Sequence, residues 1–159
     1  MKNLIGIGNS GEYFVAGELE RRGFSVAIPM SNTPVFDILA VLKSNDGNDS
    51  CKQTYKQIMV QVKTINGNGN EWTMSAKDEK INAENAFYIL VRLNGFNTPD
   101  YYILPSKTVS NVIKEDHEKW INAMGKRGQP HKNTDMRKLK LKDLPNNGEG
   151  YLNEWSILS

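Results

Sequence analysis

Two apolar runs carry polar side chains where a buried strand would have none. Phe36-Asp37-Ile38-Leu39-Ala40-Val41 is opened by an aspartate, and Ile58-Met59-Val60-Gln61-Val62-Lys63 is closed by a glutamine and a lysine. Apolar runs of this length read as strands of a covered sheet. A polar group in such a strand is costly unless it is hydrogen-bonded, paired or bound to a metal. The chain must therefore build a sheet around both runs and bring their polar groups to a place that satisfies them. On the second run Met59, Gln61 and Lys63 point one way, and Val60 and Val62 the other.

A third polar group joins them from a helix. Asn9 or Ser10 can cap a helix running to about Arg22, with Gly23 as its stop. Glu12, Val15, Ala16 and Leu19 fall at i, i+3, i+4 and i+7, so they share the face that lies against the sheet. Glu12, not Glu18, is the acid that looks inward. A carboxylate, an amide and a lysine gathered at strand ends make a divalent-metal site for phosphodiester chemistry. Plainer readings stay open beside this one. Glu12 stands three residues after Asn9, the spacing of a capping box. Asp37 and Lys63 can also form a buried ion pair across a hairpin with no metal.

The other elements follow from period and turn chemistry. Phe24–Pro29 reads as a short strand, Ser31–Pro34 as a loop, and Val35–Leu42 and Tyr55–Thr64 as a hairpin around the turn Ser44–Ser50. Asn66–Asn70 is a loop. Ser75 with Asp78 resembles a capping box and predicts a short polar helix to about Asn82. Ala86–Leu93 and Tyr101–Leu104 read as strands. Ser106 can cap a long helix ending near Gly125, with Val109, Val112, Ile113, Asp116 and Trp120 along one stripe. Met136–Leu144 alternates leucines with lysines, and Tyr151, Leu152, Trp155, Ile157 and Leu158 can dock the tail on the core.

The 159 residues suit a single domain: core helix and sheet over 1–105, a helix over 106–125, and a basic loop and C-terminal extension over 126–159. The net charge of +2 permits a nucleic-acid partner without arguing for one. Its distribution says more. From His117 to Pro145 there are eight Lys or Arg against three Asp or Glu, which leaves the remainder slightly acidic. Lys126, Arg127, His131, Lys132, Arg137 and Lys138 are candidate phosphate contacts for DNA. An ordinary charged surface explains them equally well. No aromatic residue interleaves the stretch, so stacking on single strands is not suggested. His117, among charged neighbours, reads as part of a solvated helix face. Cys51 is the only cysteine, which excludes an intrachain disulfide and a cysteine-based zinc site. It suits a reduced, cytoplasmic setting. No apolar run approaches a membrane span or a signal-peptide core.

Taken in order, Gly11-Glu12 through Leu19-Glu20-Arg21-Arg22-Gly23-Phe24, Pro29, Phe36-Asp37-Ile38 and Val60-Gln61-Val62-Lys63-Thr64 resemble the PD-(D/E)XK nuclease superfamily. The nearer likeness is to the bacterial group that includes an intron-associated homing endonuclease with Gln in place of the usual Glu. Archaeal Holliday-junction resolvases are similar too. The resemblance spans roughly the first 65 residues. It implies an α/β, restriction-endonuclease-like αβββαβ core, a mixed sheet flanked by helices, here with a basic C-terminal extension. It also implies a metal-dependent DNA endonuclease. Asp37 would be the principal ligand of Mg²⁺ or Mn²⁺, with Glu12 and the Val62 carbonyl beside it. Lys63 would orient the attacking water, and Gln61 would offer its amide oxygen where relatives have a carboxylate. Duplex or branched DNA would be the partner. Cutting both strands would call for a homodimer or higher oligomer. The alternative is an inactive nuclease-fold module that binds DNA or protein in a bacterial defence or mobile-element context.

Overall fold

Residues 4–30, 36–45, 53–125 and 128–158 are described in the computed structural model. The chain runs α1 (Leu4–Arg21), β1 (Phe24–Ala27), β2 (Ile38–Asn45), β3 (Gln53–Asn66), β4 (Glu71–Ser75), β5 (Ala86–Leu93), β6 (Asp100–Pro105), α2 (Ser106–Asn122) and β7 (Met136–Lys140), with short 3-10 turns between and after them. Five strands form one mixed sheet in the order β1-β2-β3-β5-β6, and β4 and β7 form a separate antiparallel pair. β3 and β5 are parallel, from Met59 opposite Ala86 to Asn66 opposite Leu93. The other neighbours are antiparallel, including the expected hairpin of β2 with β3.

Side-chain alternation decides what covers each face. Phe87, Ile89 and Val91 of β5 pack with Ile38, Ala40, Ile58 and Val60 against Val15 and Leu19 of α1. Tyr88 and Leu90 pack the other way, with Trp72, Met74 and Leu139, against Val109 and Ile113 of α2. A strand covered on both sides has no solvent face, which is why β5 reads as one unbroken apolar run. The sheet is thus flanked by helices on both faces, as the resemblance implies.

Several elements differ from expectation. The β3–β5 crossover, a helix in the αβββαβ pattern, is built here from β4 and one 3-10 turn over Asp78–Lys80. The Ser75–Asn82 helix does not form. Asp78 does reach back to the Ser75 backbone N–H at 2.7 Å, so half of the expected capping box is present. α1 begins at Leu4, and Ser10 is no cap: its hydroxyl donates to the Gly6 carbonyl one turn back, at 2.6 Å. Gly23 does stop the helix, with a φ of 87° that suits glycine. β2 starts at Ile38 and continues to Asn45, so Asp37 stands just before the strand. Ser106 is the first residue of α2, and its hydroxyl donates to the Ala83 carbonyl at 3.0 Å. The loop over Ser31–Pro34 and most of the turn over Ser44–Ser50 lie outside the described residues. The basic extension is sewn into the fold, since β7 pairs with β4 from Glu71 opposite Lys140 to Ser75 opposite Met136. Trp155, Ile157 and Leu158 pack on the α1 side of the core.

α1 packs tightly on β3 at Gly11. A Cβ there would lie 1.9 Å from Thr64 Oγ1 and 2.9 Å from Thr64 Cβ. Thr64 is β-branched and cannot swing clear cheaply. Gly11→Ala should therefore lower stability by about 1–2 kcal/mol despite the better helix propensity of alanine. Urea denaturation reads this as a lower midpoint at unchanged slope. An unchanged or higher midpoint would mean that α1 can lift off β3 without loss.

Candidate active site

The site begins where β2 stops pairing with β3. The Asp37 N–H donates to the Val60 carbonyl at 2.9 Å, one residue before β2 begins. One step further along β3, the Val62 N–H finds a side chain instead. It donates to Asp37 Oδ2 at 2.7 Å. The carboxylate thus replaces the backbone acceptor that β2 no longer provides. In an extended strand a residue's N–H and C=O face the same edge. The Val62 carbonyl therefore faces the same gap as Asp37. Gln61 Nε2 also donates to Asp37 Oδ2, at 2.5 Å. Both hydrogen bonds to Asp37 end on Oδ2.

The charges around Asp37 come from three directions. Burial raises the Asp37 carboxyl above the ordinary aspartate value of 3.8, against the opposing pull of the Val62 N–H, the Lys63 ammonium, the Gln61 amide and the Lys77 ammonium. Glu12, on the sheet-facing side of α1, is raised above 4.5 by burial and then by the Asp37 charge. Of the residues singled out in the sequence, Glu12, Asp37, Gln61, Val62 and Lys63 thus lie within one electrostatic neighbourhood. Lys63 is not paired with Asp37. Its ammonium lies 4.0 Å from Asp78 Oδ2.

Asp78 and Tyr88 are the residues that sequence reasoning missed. Asp78 is fully buried. Its Oδ2 accepts from the Ser75 N–H at 2.7 Å and the Ser75 hydroxyl at 2.9 Å, and its Oδ1 accepts from the Tyr88 hydroxyl at 2.8 Å. Burial and the Asp78 charge push the Tyr88 phenol far above the ordinary tyrosine range, so it stays a neutral donor. Tyr88 stands opposite Gln61 in the β3–β5 register. Asp78 therefore fixes the floor under Lys63. The capping spacing from Ser75 was the visible signal. Its burial was not visible, because Tyr88 and Lys63 come from other strands.

Among the described residues no three His, Cys, Asp or Glu side chains gather as a metal-holding group. The donor set at the site is two carboxylates, the Val62 carbonyl and the Gln61 amide. These are hard oxygens of the kind Mg²⁺ and Mn²⁺ take, with room left for waters. Two carboxyls raised by burial, Glu12 also by the Asp37 charge, are what a cation would relieve. The residues fit such an ion.

A pH dependence follows. Glu12 and Asp37 keep their protons to higher pH in the folded chain than in the unfolded one. The folded state binds the extra protons between the ordinary values of 4.5 and 3.8 and the raised ones. Stability from these two groups is then greatest below that window and falls as pH rises through it. Asp37→Asn, which keeps an oxygen for the Gln61 and Val62 donors, should stabilise the metal-free protein at neutral pH. The gain should be on the order of 0.5 kcal/mol, since water screens a half-exposed group. Thermal melts in EDTA should show the gain at pH 8 and its loss as pH falls through that window. A loss of stability at pH 8 would mean that the charge is held favourably.

The basic extension is less uniform than its sequence. Lys126 and Arg127 lie outside the described residues. Lys132 is exposed. Arg137 is buried, bonded to the Glu79 carboxylate and, at 2.6 Å, to the Thr134 carbonyl. It ties β7 to the crossover turn and offers no phosphate contact, which corrects its place among the candidate DNA-binding residues. Lys138 pairs with Glu71 at 2.6 Å on the surface. His131 stacks on Trp120 with ring centroids 4.1 Å apart. An aromatic residue from α2 therefore does reach the basic stretch, although none interleaves it in sequence. The His117 ring lies 5.6 Å from that of Trp120 and bonds the Asn133 side chain. Among the described residues no helix is long and apolar enough to cross a membrane.

No family model and no curated protein matches the chain. Among solved structures it is similar to Archaeoglobus fulgidus Hjc, a Holliday junction resolvase from an archaeal hyperthermophile. The match has 14% identity and a TM-score of 0.45 over 86% of this chain and 85% of that one. It is also similar to the bacterial homing endonuclease I-Ssp6803I, at 15% identity and a TM-score of 0.47 over 99% of this chain and 93% of that one. At such identities the functional reading rests on the residues themselves.

Proposed function

We propose that the protein is a metal-dependent endonuclease that hydrolyses phosphodiester bonds in DNA by attack of water. The observation that carries the reading is the convergence at the β2–β3 fork: Asp37 on the Val62 N–H and the Gln61 amide, with the charges of Glu12 and Lys63 beside it. Asp37, Glu12, the Val62 carbonyl and the Gln61 Oε1 would hold one Mg²⁺ or Mn²⁺. When bound, such an ion lowers the pKa of a coordinated water and offsets the charge of a phosphate. The chain's own residues supply the rest. Gln61 and the Val62 N–H fix Asp37 through Oδ2, and Oδ1, which takes no hydrogen bond among the described residues, would be available to the ion. Lys63, steadied by Asp78, would orient the attacking water and stabilise charge on the phosphoryl oxygens. Neutral Gln61 in place of a carboxylate weakens the hold on metal and leaves Lys63 less firmly paired.

Titration of Mn²⁺ into the metal-free protein tests the assignment of ligands. Wild type should bind one ion more weakly as pH falls through the raised carboxyl window, and Asp37→Ala should lose that binding. Equal binding by both would place the metal elsewhere. A folded wild type that binds duplex DNA but no metal would favour the inactive module.

A further inference from the structure

The crossover turn next to the site has a sided arrangement that the nuclease reading does not use. Its inward residues are anchored to four partners. Asp78 bonds Ser75 and Tyr88, Glu79 holds Arg137 through its carboxylate, and the Glu79 carbonyl accepts from the Ser110 hydroxyl at 2.5 Å. Its outward residues are Lys77 and Lys80, both exposed. The Lys80 N–H donates to the Lys77 carbonyl at 3.1 Å, one 3-10 step. Residues three apart in such a turn eclipse one another, so the two ammonium groups rise from one side. Neither forms an ion pair among the described residues. They line a concavity of about 330 Å³ together with Ser75, Ala76 and Asp135. Asp135 offsets one of the two charges, and the concavity stays net positive. Like charges held side by side on a rigid base repel unless an anion lies between them. The same turn carries Asp78, whose Oδ2 lies 4.0 Å from the Lys63 ammonium, so the concavity adjoins the reacting site.

We propose that Lys77 and Lys80 form a phosphate clamp for the nucleic-acid backbone, holding a phosphate that flanks the scissile one. The clamp rests on the nuclease reading above and adds to it the element that sets the strand in register. Phosphate contacts of this kind position a duplex without reading its sequence. The turn that carries them is pinned to the core through Asp78 and Glu79, so their backbone positions are set before DNA arrives.

The test is fluorescence anisotropy of a labelled 30-base-pair duplex in EDTA, at several salt concentrations. Lys77→Ala/Lys80→Ala is compared with wild type and with Lys107→Ala/Lys114→Ala, which removes the same charge from exposed positions of α2. The clamp variant should bind about tenfold more weakly at low salt, with a salt slope shallower by about 1–2, and the α2 variant should keep the wild-type slope. In cleavage assays the clamp variant should raise KM and leave kcat within about threefold. A clamp variant that binds like wild type overturns the proposal while cleavage by wild type keeps the nuclease reading. Equal weakening by both double variants overturns it as well, as a net-charge effect. Wild type that binds with the clamp-dependent slope yet never cleaves would keep the clamp and sink the nuclease reading. Wild type that neither binds nor cleaves sinks both.

Discussion

Lys63→Ala should reduce phosphodiester cleavage by about 10²–10³-fold at saturating metal and DNA, the range for losing one preorganised charge stabiliser. Lys63 is the cation on β3 beside the Asp37 cluster, and it is not neutralised by Asp37 itself. Its ammonium sits 4.0 Å from a fully buried Asp78 carboxylate, so it is tethered but not tightly paired. A lysine held at one end of a rigid strand pays little to be in position when charge develops on the phosphate. The loss should therefore appear in kcat, with KM for DNA and the Mn²⁺ affinity near wild type. Lys63→Arg should recover little, since a planar guanidinium does not replace a compact ammonium at such a site. A fall in DNA affinity with kcat intact would instead make Lys63 a binding residue.

Asp78→Ala should be the most damaging single change to stability, at about 3 kcal/mol or more. The substitution leaves the buried Tyr88 hydroxyl and the Ser75 N–H without their acceptor, each a cost of about 1–3 kcal/mol. It also removes the carboxylate 4.0 Å from the Lys63 ammonium, a loose contact to a partly exposed lysine that adds little to the cost. Asp78→Asn, which keeps an acceptor of the same size, should cost less. If Asp78 also positions Lys63, the Asn variant should lower kcat while Mn²⁺ affinity holds. Removing the phenol as well should soften the Ala defect, so Asp78→Ala/Tyr88→Phe should be more stable than the sum of the two singles. Urea denaturation with intrinsic tryptophan fluorescence measures all of these. A loss below about 1 kcal/mol for Asp78→Ala would mean that water replaces the carboxylate freely.

What could be read in the chain and what could not divide along sequence distance. β5 is bounded by Ala86 and Leu93 in both readings, because an apolar run covered on both faces announces itself locally. The inward face of α1 was legible from the spacing of Glu12, Val15 and Leu19, and the latter two are fully buried. Asp37, Gln61 and Lys63 stood out because each interrupts an apolar run. β4 was missed. Its five residues alternate, but they form a strand only because β7 pairs with them from the far end of the chain. Arg137 looked like one more surface cation, since its partner Glu79 is 58 residues away in sequence. The early start of α1 was hidden by Gly6 and Gly8, whose poor helix propensity is outweighed by packing of Ile7 on the core. The crossover is the sharpest case. Ser75 and Asp78 carry the local signature of a helix start. Yet Asp78 is drawn inward by Tyr88, and a single 3-10 turn results.

The most direct measurement is cleavage of supercoiled plasmid, with branched and nicked duplexes beside it, in Mg²⁺, Mn²⁺ or EDTA, using wild type and Asp37→Ala. Asp37→Ala removes the acceptor shared by Gln61 and Val62. The account predicts nicking or linearisation by wild type with either metal, none in EDTA, and none by a folded Asp37→Ala protein. Cleavage that persists in Asp37→Ala, or a folded wild type that cuts none of these substrates with metal present, would contradict it.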